Sequence, residues 1–155
     1  MSEFINTVDV LGDDAVTDSI INRTITEFKD DVVTSIGSCA FAECSALKEV
    51  VLLNVLDVAA SAFYNSGLEK ADFHKVTSFA GSVFQFSDLQ TLIIRSPEVA
   101  SLGNTSSFPS TPISSGSGYI YVPAALIDSY RSATNWSTYA SAFRAIEDYP
   151  DICGG

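Results

Sequence analysis

A short apolar pattern recurs three times in this 155-residue chain, and it constrains the fold more than any other feature. Each copy has a first half that ends in Ala-Phe or Val-Phe and a second half of the Leu-x-x-Val-x-Leu type. Successive phenylalanines lie 22 and 21 residues apart, and the leucines that open the second halves lie 21 and 21 apart. These residues are Phe41, Phe63 and Phe84, and Leu47, Leu68 and Leu89. The period predicts a solenoid, because one unit cannot bury its apolar face without neighbours to cover it.

The two halves of each copy predict two short strands per turn, so that stacked copies form two parallel sheets on opposite sides of a flattened coil. A half-unit precedes the first copy, and a fourth copy opens at Val99 and then loses its register. We therefore expect about four turns of 21–23 residues over residues 25–122. A Ser-, Gly- and Pro-rich loop at 103–118 interrupts the last turn, and Phe108 stands where its phenylalanine belongs.

This alignment predicts three ladders, by which we mean columns of buried side chains that stack from one turn to the next. Leu52, Phe73 and Ile94 form one of them, and the phenylalanines and leucines of the repeat form the other two.

Both open ends of such a coil need a cover. At the C-terminal end, Pro123 suits the first position of a helix that runs to about Ser132. Further on, aromatic and aliphatic residues recur at helical spacing; they are Trp136, Tyr139, Phe143 and Ile146. We therefore predict a helical C-terminal cap over residues 123–155.

Residues 1–24 are predicted to form an N-terminal cap or attachment segment. Asp13 and Asp14 stand where a helix could begin, since acidic residues suit a helix N-terminus. Residues 1–11 are too apolar for a free tail, and they either add a strand to the cap or dock to a partner. The length of the chain predicts that cap, repeats and C-terminal cap together form a single domain, residues 1–155.

The first copy resembles a known repeat family. From Ile36 to Val50 the chain reads Ile-Gly-Ser-Cys-Ala-Phe-Ala-Glu-Cys-Ser-Ala-Leu-Lys-Glu-Val. This is similar to the unit Ile-Gly-x-x-Ala-Phe-x-x-Cys-x-x-Leu-x-x-Ile of BspA-type leucine-rich repeat proteins. In the later copies Ser66 and Ser87 replace Cys44. The resemblance implies an α+β leucine-rich-repeat solenoid that acts as a non-enzymatic binding module.

The resemblance also suggests a biological setting. Relatives with a signal peptide are bacterial surface adhesins, and short forms without one resemble phage or prophage structural proteins. The N-terminus has no basic segment and no uninterrupted apolar run, so we expect no secretory signal. We therefore expect a protein made in the cytoplasm and carried on a virion, as a tail adhesin, fibre or capsid decoration. The alternative is a cytosolic protein–protein interaction scaffold of the same fold.

Composition and motifs exclude several classes of function. Nineteen acidic residues against eight basic ones give a net charge of −11, which disfavours nucleic acid and anionic membranes. No phosphate-binding loop, hydrolase elbow or zinc-protease motif is present, so we expect no enzyme, no cofactor and no metal site. Cys39 and Cys44 are interpreted as buried apolar residues, whereas Cys153 is expected to be exposed.

The surface must then carry the function, and one predicted sheet offers outward-facing columns of side chains. Its candidate apolar anchors are Val51, Leu53 and Ile93, and its polar candidates are Lys70, Asp72, His74 and Arg95. Partners would be a protein or a host-surface glycan, other virion proteins, or further copies of the chain. A half-polar sheet that simply faces solvent is the alternative interpretation.

Overall fold

Twelve short strands and a few helical turns make up the part of the chain that the computed structural model describes, which is residues 2–3, 10–11 and 25–154. The strands are β1 (Ser2–Glu3), β2 (Val10–Leu11), β3 (Ile25–Asp30), β4 (Ser35–Ile36), β5 (Glu49–Leu52), β6 (Asp57–Val58), β7 (Lys70–Phe73), β8 (Ser78–Phe79), β9 (Thr91–Ile94), β10 (Ser101–Leu102), β11 (Tyr119–Val122) and β12 (Phe143–Ala145). The α-helices are α1 (Pro112–Ser115), α2 (Ile127–Ser132) and α3 (Pro150–Cys153). Short 3-10 helices span Thr105–Ser107, Ala124–Leu126, Trp136–Ala142 and Ile146–Asp148.

The described strands form two sheets in which every pair is parallel. Sheet A has the order β1-β3-β5-β7-β9-β11-β12, and sheet B has the order β10-β8-β6-β4-β2. The chain alternates between the two sheets. Two parallel neighbours in one sheet must be joined by a crossover connection, and here each such connection as far as β11 contains a strand of the other sheet. Parallel sheets with few helices fit an α/β repeat, and the expected pair of strand ribbons is present.

The space between the sheets holds the predicted ladders. Leu52, Phe73 and Ile94 have no exposed surface, and neither do Leu47, Leu68 and Leu89. The ring centroids of Phe41 and Phe63 are 5.2 Å apart, and those of Phe63 and Phe84 are 5.7 Å apart, with nearly parallel planes in both pairs. Phe108 continues the stack at 5.8 Å from Phe84, which confirms it as the phenylalanine of the degenerate fourth turn.

A left-handed backbone position recurs two residues after each ladder phenylalanine. It is held by Glu43, Asn65, Phe86 and Ser110, with φ between 52° and 63°. A second left-handed position lies two residues before the first three phenylalanines, at Cys39, Ser61 and Ser82. These turns bend the chain tightly between sheet B and sheet A, and glycine is not used at any of these positions.

The N-terminal residues add strands to the sheets. Strand β1 pairs with β3 in sheet A, and β2 pairs with β4 in sheet B. Ser2–Glu3 and Val10–Leu11 thus form added strands, and docking of residues 1–11 to a partner stays a prediction. The helix expected near Asp13 lies outside the described residues.

The C-terminal part differs from the sequence-based expectation. Ala124–Leu126 and α2 are helical, as is Trp136–Ala142, but Phe143 begins strand β12 and does not continue a helix. Strand β12 pairs with β11 through Ile120, Tyr121 and Val122, so it covers an edge of sheet A that would otherwise be unpaired. The expected loop at 103–118 also contains a 3-10 turn and α1, which Thr111 and Ser114 stabilise with a capping box.

Polar side chains close the C-terminal edge of sheet B. The Trp136 Nε1 group donates to the Ala100 carbonyl at 2.7 Å, and the Ala100 amide donates to the Tyr130 hydroxyl oxygen at 2.9 Å. The Asn135 amide donates to the Leu102 carbonyl at 2.6 Å. Backbone groups that a further strand would have paired are thus satisfied by side chains.

Candidate partner-binding face

The outer face of sheet A presents the candidate residues in columns set by the strand register. Lys70 lies between Glu49 and Thr91, and Asp72 lies between Val51 and Ile93. The Val51 column continues to Lys29 on one side and to Tyr121 and Arg144 on the other. Parallel pairing without a bulge keeps the side-chain alternation of β5, β7 and β9 in phase, which confirms the predicted columns of Lys70 and of Asp72.

The C-terminal segment 149–154 covers one part of this face, which we call the covered half: Lys70, Asp72, Ile93, Arg95 and Tyr121. Ile93, Tyr121 and Cys153 form a small apolar cluster of their own, at most 4 % exposed, outside the main core. The Tyr149 ring packs edge-on against Tyr121, with centroids 5.3 Å apart.

Two expectations are therefore wrong. Ile93 is not an exposed anchor and Cys153 is not an exposed thiol, because α3 places the Cys153 side chain on the apolar strip that β9 and β11 present.

A partly buried ion pair holds the polar side of the covered half. The guanidinium of Arg95 donates from Nε to Asp72 Oδ1 at 2.9 Å and from a terminal nitrogen to Asp72 Oδ2 at 3.0 Å. The same terminal nitrogen donates to the backbone carbonyl of Cys153. The hydrogen bond to Asp72 is the main cause of the raised pKa of Arg95. His74 Nε2 lies 3.4 Å from Asp72 Oδ1, so Asp72 and Arg95 are engaged within the chain and do not project as free charges.

Lys70 also contacts the C-terminal segment. Its Nζ donates to the Ile152 carbonyl at 2.9 Å, so the two last-turn carbonyls of α3 each receive a cationic donor from sheet A.

The remaining part, which we call the open half, lies over β3, β5 and the residues that follow them. A shallow depression there is lined by Lys29, Asp30, Asp31, Val51 and Leu53. Leu53 is 38 % exposed and Val51 is half-buried. Asp30 is used locally, because its Oδ1 accepts from the amides of Val32 and Val33 at 2.8 and 2.6 Å. The open half therefore places two apolar side chains, Val51 and Leu53, beside the charged residues Lys29 and Asp31.

Lys29 and Asp31 were missed from sequence. The signal was available, since extending the half-unit at 25–28 by three residues aligns Lys29 with Val51 and Asp31 with Leu53.

Three tyrosines near the sheets, Tyr64, Tyr119 and Tyr121, do not form one exposed contact surface. Tyr121 is buried in the covered half, and Tyr119 carries the Arg144 guanidinium 4.5 Å from its ring centroid. Tyr64 packs edge-on against Phe86, which is 45 % exposed, on the turns between sheet B and sheet A. This aromatic pair lies away from the face of sheet A.

Reactive groups are weak in the part of the chain that the structure describes. Burial raises the pKa of the Cys44 thiol to about 12 and also raises the pKa of Cys153, so both are protonated, poor nucleophiles at neutral pH. Cys39 is half-buried and not, as expected, fully buried, whereas Cys44 is buried as expected. Among the described residues no three His, Cys, Asp or Glu side chains cluster as metal ligands would. None of the described helices has the length and apolarity needed to cross a bilayer.

The ladders, the two parallel sheets and the recurrent turns define a leucine-rich-repeat solenoid. Residues 11–120 match the BspA type leucine-rich repeat region in six copies, and the chain belongs to this family. No curated protein matches the chain. Leucine-rich repeat proteins of this kind are generally non-enzymatic, and the family points to protein–protein binding.

Proposed function

We propose that this protein is a non-enzymatic binding module that contacts a partner protein through the open half of sheet A. The observation that carries the proposal is the exposed Leu53 beside half-buried Val51, with Lys29 and Asp31 next to them in one depression. Apolar side chains with charged residues at their edge are typical of the centre and rim of protein interfaces. The rigid parallel sheet beneath holds these side chains in place, so little conformational entropy is lost on binding.

The biological setting that we propose is a virion, with the protein acting as a tail adhesin, fibre or capsid decoration. The chain would then be made in the cytoplasm and carried on the particle as one domain, with residues 1–24 contributing to attachment. Its partners would be a host-surface protein or glycan and neighbouring virion proteins, and self-association would be compatible with that setting. The support for this choice is the resemblance of short repeat chains of this kind to phage and prophage structural proteins.

A point substitution in the open half tests the binding proposal. The full chain, Leu53→Glu and the control Leu56→Glu are immobilised at equal density and exposed to host cell-wall fractions and to purified products of neighbouring genes. Leu56 is 42 % exposed and directly precedes β6 of sheet B, whereas Leu53 directly follows β5 of sheet A and lines the depression, so the two match in size and exposure but not in position. We expect retention by the full chain and by Leu56→Glu and at least a tenfold loss for Leu53→Glu. Equal retention by all three would reject the open half as the contact surface.

The alternative function is a cytosolic scaffold that uses the same face. The nature of the neighbouring genes separates the two: tail or capsid genes favour the virion, and their absence together with a retained cytosolic protein favours the scaffold.

A further inference from the structure

The covered half has the features of a receptor for the end of a short helix. The last carbonyls of a helix have no partners within the helix and carry partial negative charge. In α3 these are the carbonyls of Ile152 and Cys153, and they accept from Lys70 and Arg95 respectively. Two cations from adjacent strands thus bind two successive carbonyls. This arrangement fits a bound segment that runs in one direction and in one register across the strands.

The same surface selects a small apolar side chain. The Cys153 side chain enters the cluster formed with Ile93 and Tyr121, and Tyr149 packs beside it. By contrast, Asp151 and Ile152 of the same helix are exposed. Recognition of the segment therefore rests on one inserted residue, one flanking aromatic ring and two backbone carbonyls.

The Arg95 side of the receptor is held in place by contacts that do not involve the segment. Arg95 is fixed by its two hydrogen bonds to Asp72, and both residues stand on or next to strands paired in the middle of sheet A. The segment itself is a single helical turn, which is too short to be stable alone. Loss of the segment would consequently leave the binding surface formed and empty.

We propose that the covered half is a peptide-binding site for a short helical turn ending in a small apolar residue, occupied within the same chain by residues 149–154. A partner protein presenting such a turn displaces this segment and binds to the Lys70, Ile93 and Arg95 surface. This proposal rests on the proposed function, because both require a partner protein that binds sheet A. It concerns the covered half, whereas the proposed function concerns the open half.

Thiol labelling of the full chain tests whether the segment detaches. A Cys39→Ser background removes the half-buried thiol, and Ser61 and Ser82 show that serine is accommodated at that position of the turn. Cys153 is then followed with a maleimide, and the core residue Cys44 is the internal control for global unfolding. We expect labelling of Cys153 while Cys44 remains protected. If both thiols label together, the segment is a permanent part of the fold and the proposal is wrong.

Substitution of the cationic donor gives the second measurement. Lys70→Gln removes one charge-assisted hydrogen bond, so labelling of Cys153 should accelerate about two- to tenfold without exposing Cys44. Lys75→Gln makes the same charge change away from the segment, with its Nζ bound to Asn54, and should leave the rate unchanged. An equal effect of both variants, or none, would contradict the role of Lys70. Lys70 is the better choice than Arg95, whose removal would leave Asp72 buried without its cation.

A peptide probe tests recognition directly. A labelled peptide with the sequence of residues 149–154, carrying alanine in place of the cysteine, is titrated into the full chain and into Cys153→Arg, whose side chain cannot enter the apolar cluster. We expect saturable binding to Cys153→Arg and at least tenfold weaker binding to the unmodified chain, in which the tethered segment competes at high effective concentration. The same peptide with arginine in place of the cysteine should not bind.

Absence of binding to Cys153→Arg with Cys44 still protected would overturn the proposal. Leu53→Glu should leave both labelling and peptide binding unchanged, so failure of the open half as a contact surface is distinguishable from failure of this site.

Discussion

At the residue scale, the phenylalanine ladder dominates the energetics of the fold. Phe63 is the central ring, stacked between Phe41 and Phe84 and without exposed surface. Phe63→Ala should lower the free energy of unfolding by about 3–5 kcal/mol, because it removes the buried ring and leaves a cavity that two flanking rings cannot fill. Chemical denaturation measures this change. Phe86→Ala is the matched control at a 45 % exposed position, and a loss as large there as at Phe63 would contradict the ladder.

The buried thiol of Cys44 makes stability depend on alkaline pH. Its pKa rises from 9.0 to about 12 in the folded chain, so the folded state keeps a proton that the unfolded state releases. Its contribution to stability is complete below pH 9 and is lost as the pH rises from there towards about 12. The slope should reach at most about 1.4 kcal/mol per pH unit.

Cys44→Ser removes this titration, and Ser66 and Ser87 show that the equivalent positions accept serine. In Ser87 the hydroxyl donates to the Phe84 carbonyl at 2.7 Å, so the same bond is available to a serine at position 44. Denaturation at several alkaline pH values should give a shallower decline for Cys44→Ser than for the parent chain. Parallel declines would show that Cys44 does not contribute.

At the element scale, successive turns approach each other closely where the chain enters a strand of sheet A. A Cβ atom added to Gly67 would lie 2.2 Å from the carbonyl oxygen of Ser45 in the preceding turn. Gly67→Ala should therefore destabilise the protein by about 1–3 kcal/mol, since the backbone of one turn must move. Thermal or chemical unfolding measures the cost.

Gly81→Ala is the informative comparison for this prediction. The nearest atom to its added Cβ belongs to the Asn104 side chain, which can rotate away, so we expect a smaller loss than at Gly67. The prediction is contradicted if the two losses are equal or reversed.

Element boundaries show where local patterns are insufficient. The spacing of Trp136, Tyr139 and Phe143 is compatible with a helix, yet the structure has a 3-10 turn followed by β12. The deciding factor is the unpaired edge of β11, which gains a parallel partner when Phe143–Ala145 is extended. Hydrogen bonding to a distant strand overrides a spacing that is compatible with either conformation.

At the scale of the whole molecule, the net charge of −11 opposes the compact state. Raising the ionic strength from about 0.01 M to about 1 M shortens the Debye length from about 30 Å to about 3 Å. The melting temperature should therefore rise with NaCl concentration over this range. The partly buried pair of Asp72 and Arg95 is screened less than surface charges, so weakening of its attraction by salt should not offset the gain. A melting temperature that falls steadily with salt would show that attractive ion pairs outweigh the excess negative charge.

The sequence by itself determined the repeat, the inward ladders and the alignment of the outward columns. These features depend on local periodicity, because alternation along a strand decides which side chains face the core and the constant period decides which of them stack. Phe108 was recognised in this way even though its turn is degenerate, and Leu53 was recognised as an exposed apolar residue.

Only the tertiary structure decided which part of sheet A is accessible. Lys70 and Ile152 are 82 residues apart in the chain, and Arg95 and Cys153 are 58 apart. No periodic pattern links such positions, so the sequence could not show that α3 covers Ile93 or that Arg95 binds both Asp72 and the segment. The physical reason is that the C-terminal segment binds to a surface built from neighbouring strands of sheet A. The shape and charge of that surface exist only after the solenoid has formed.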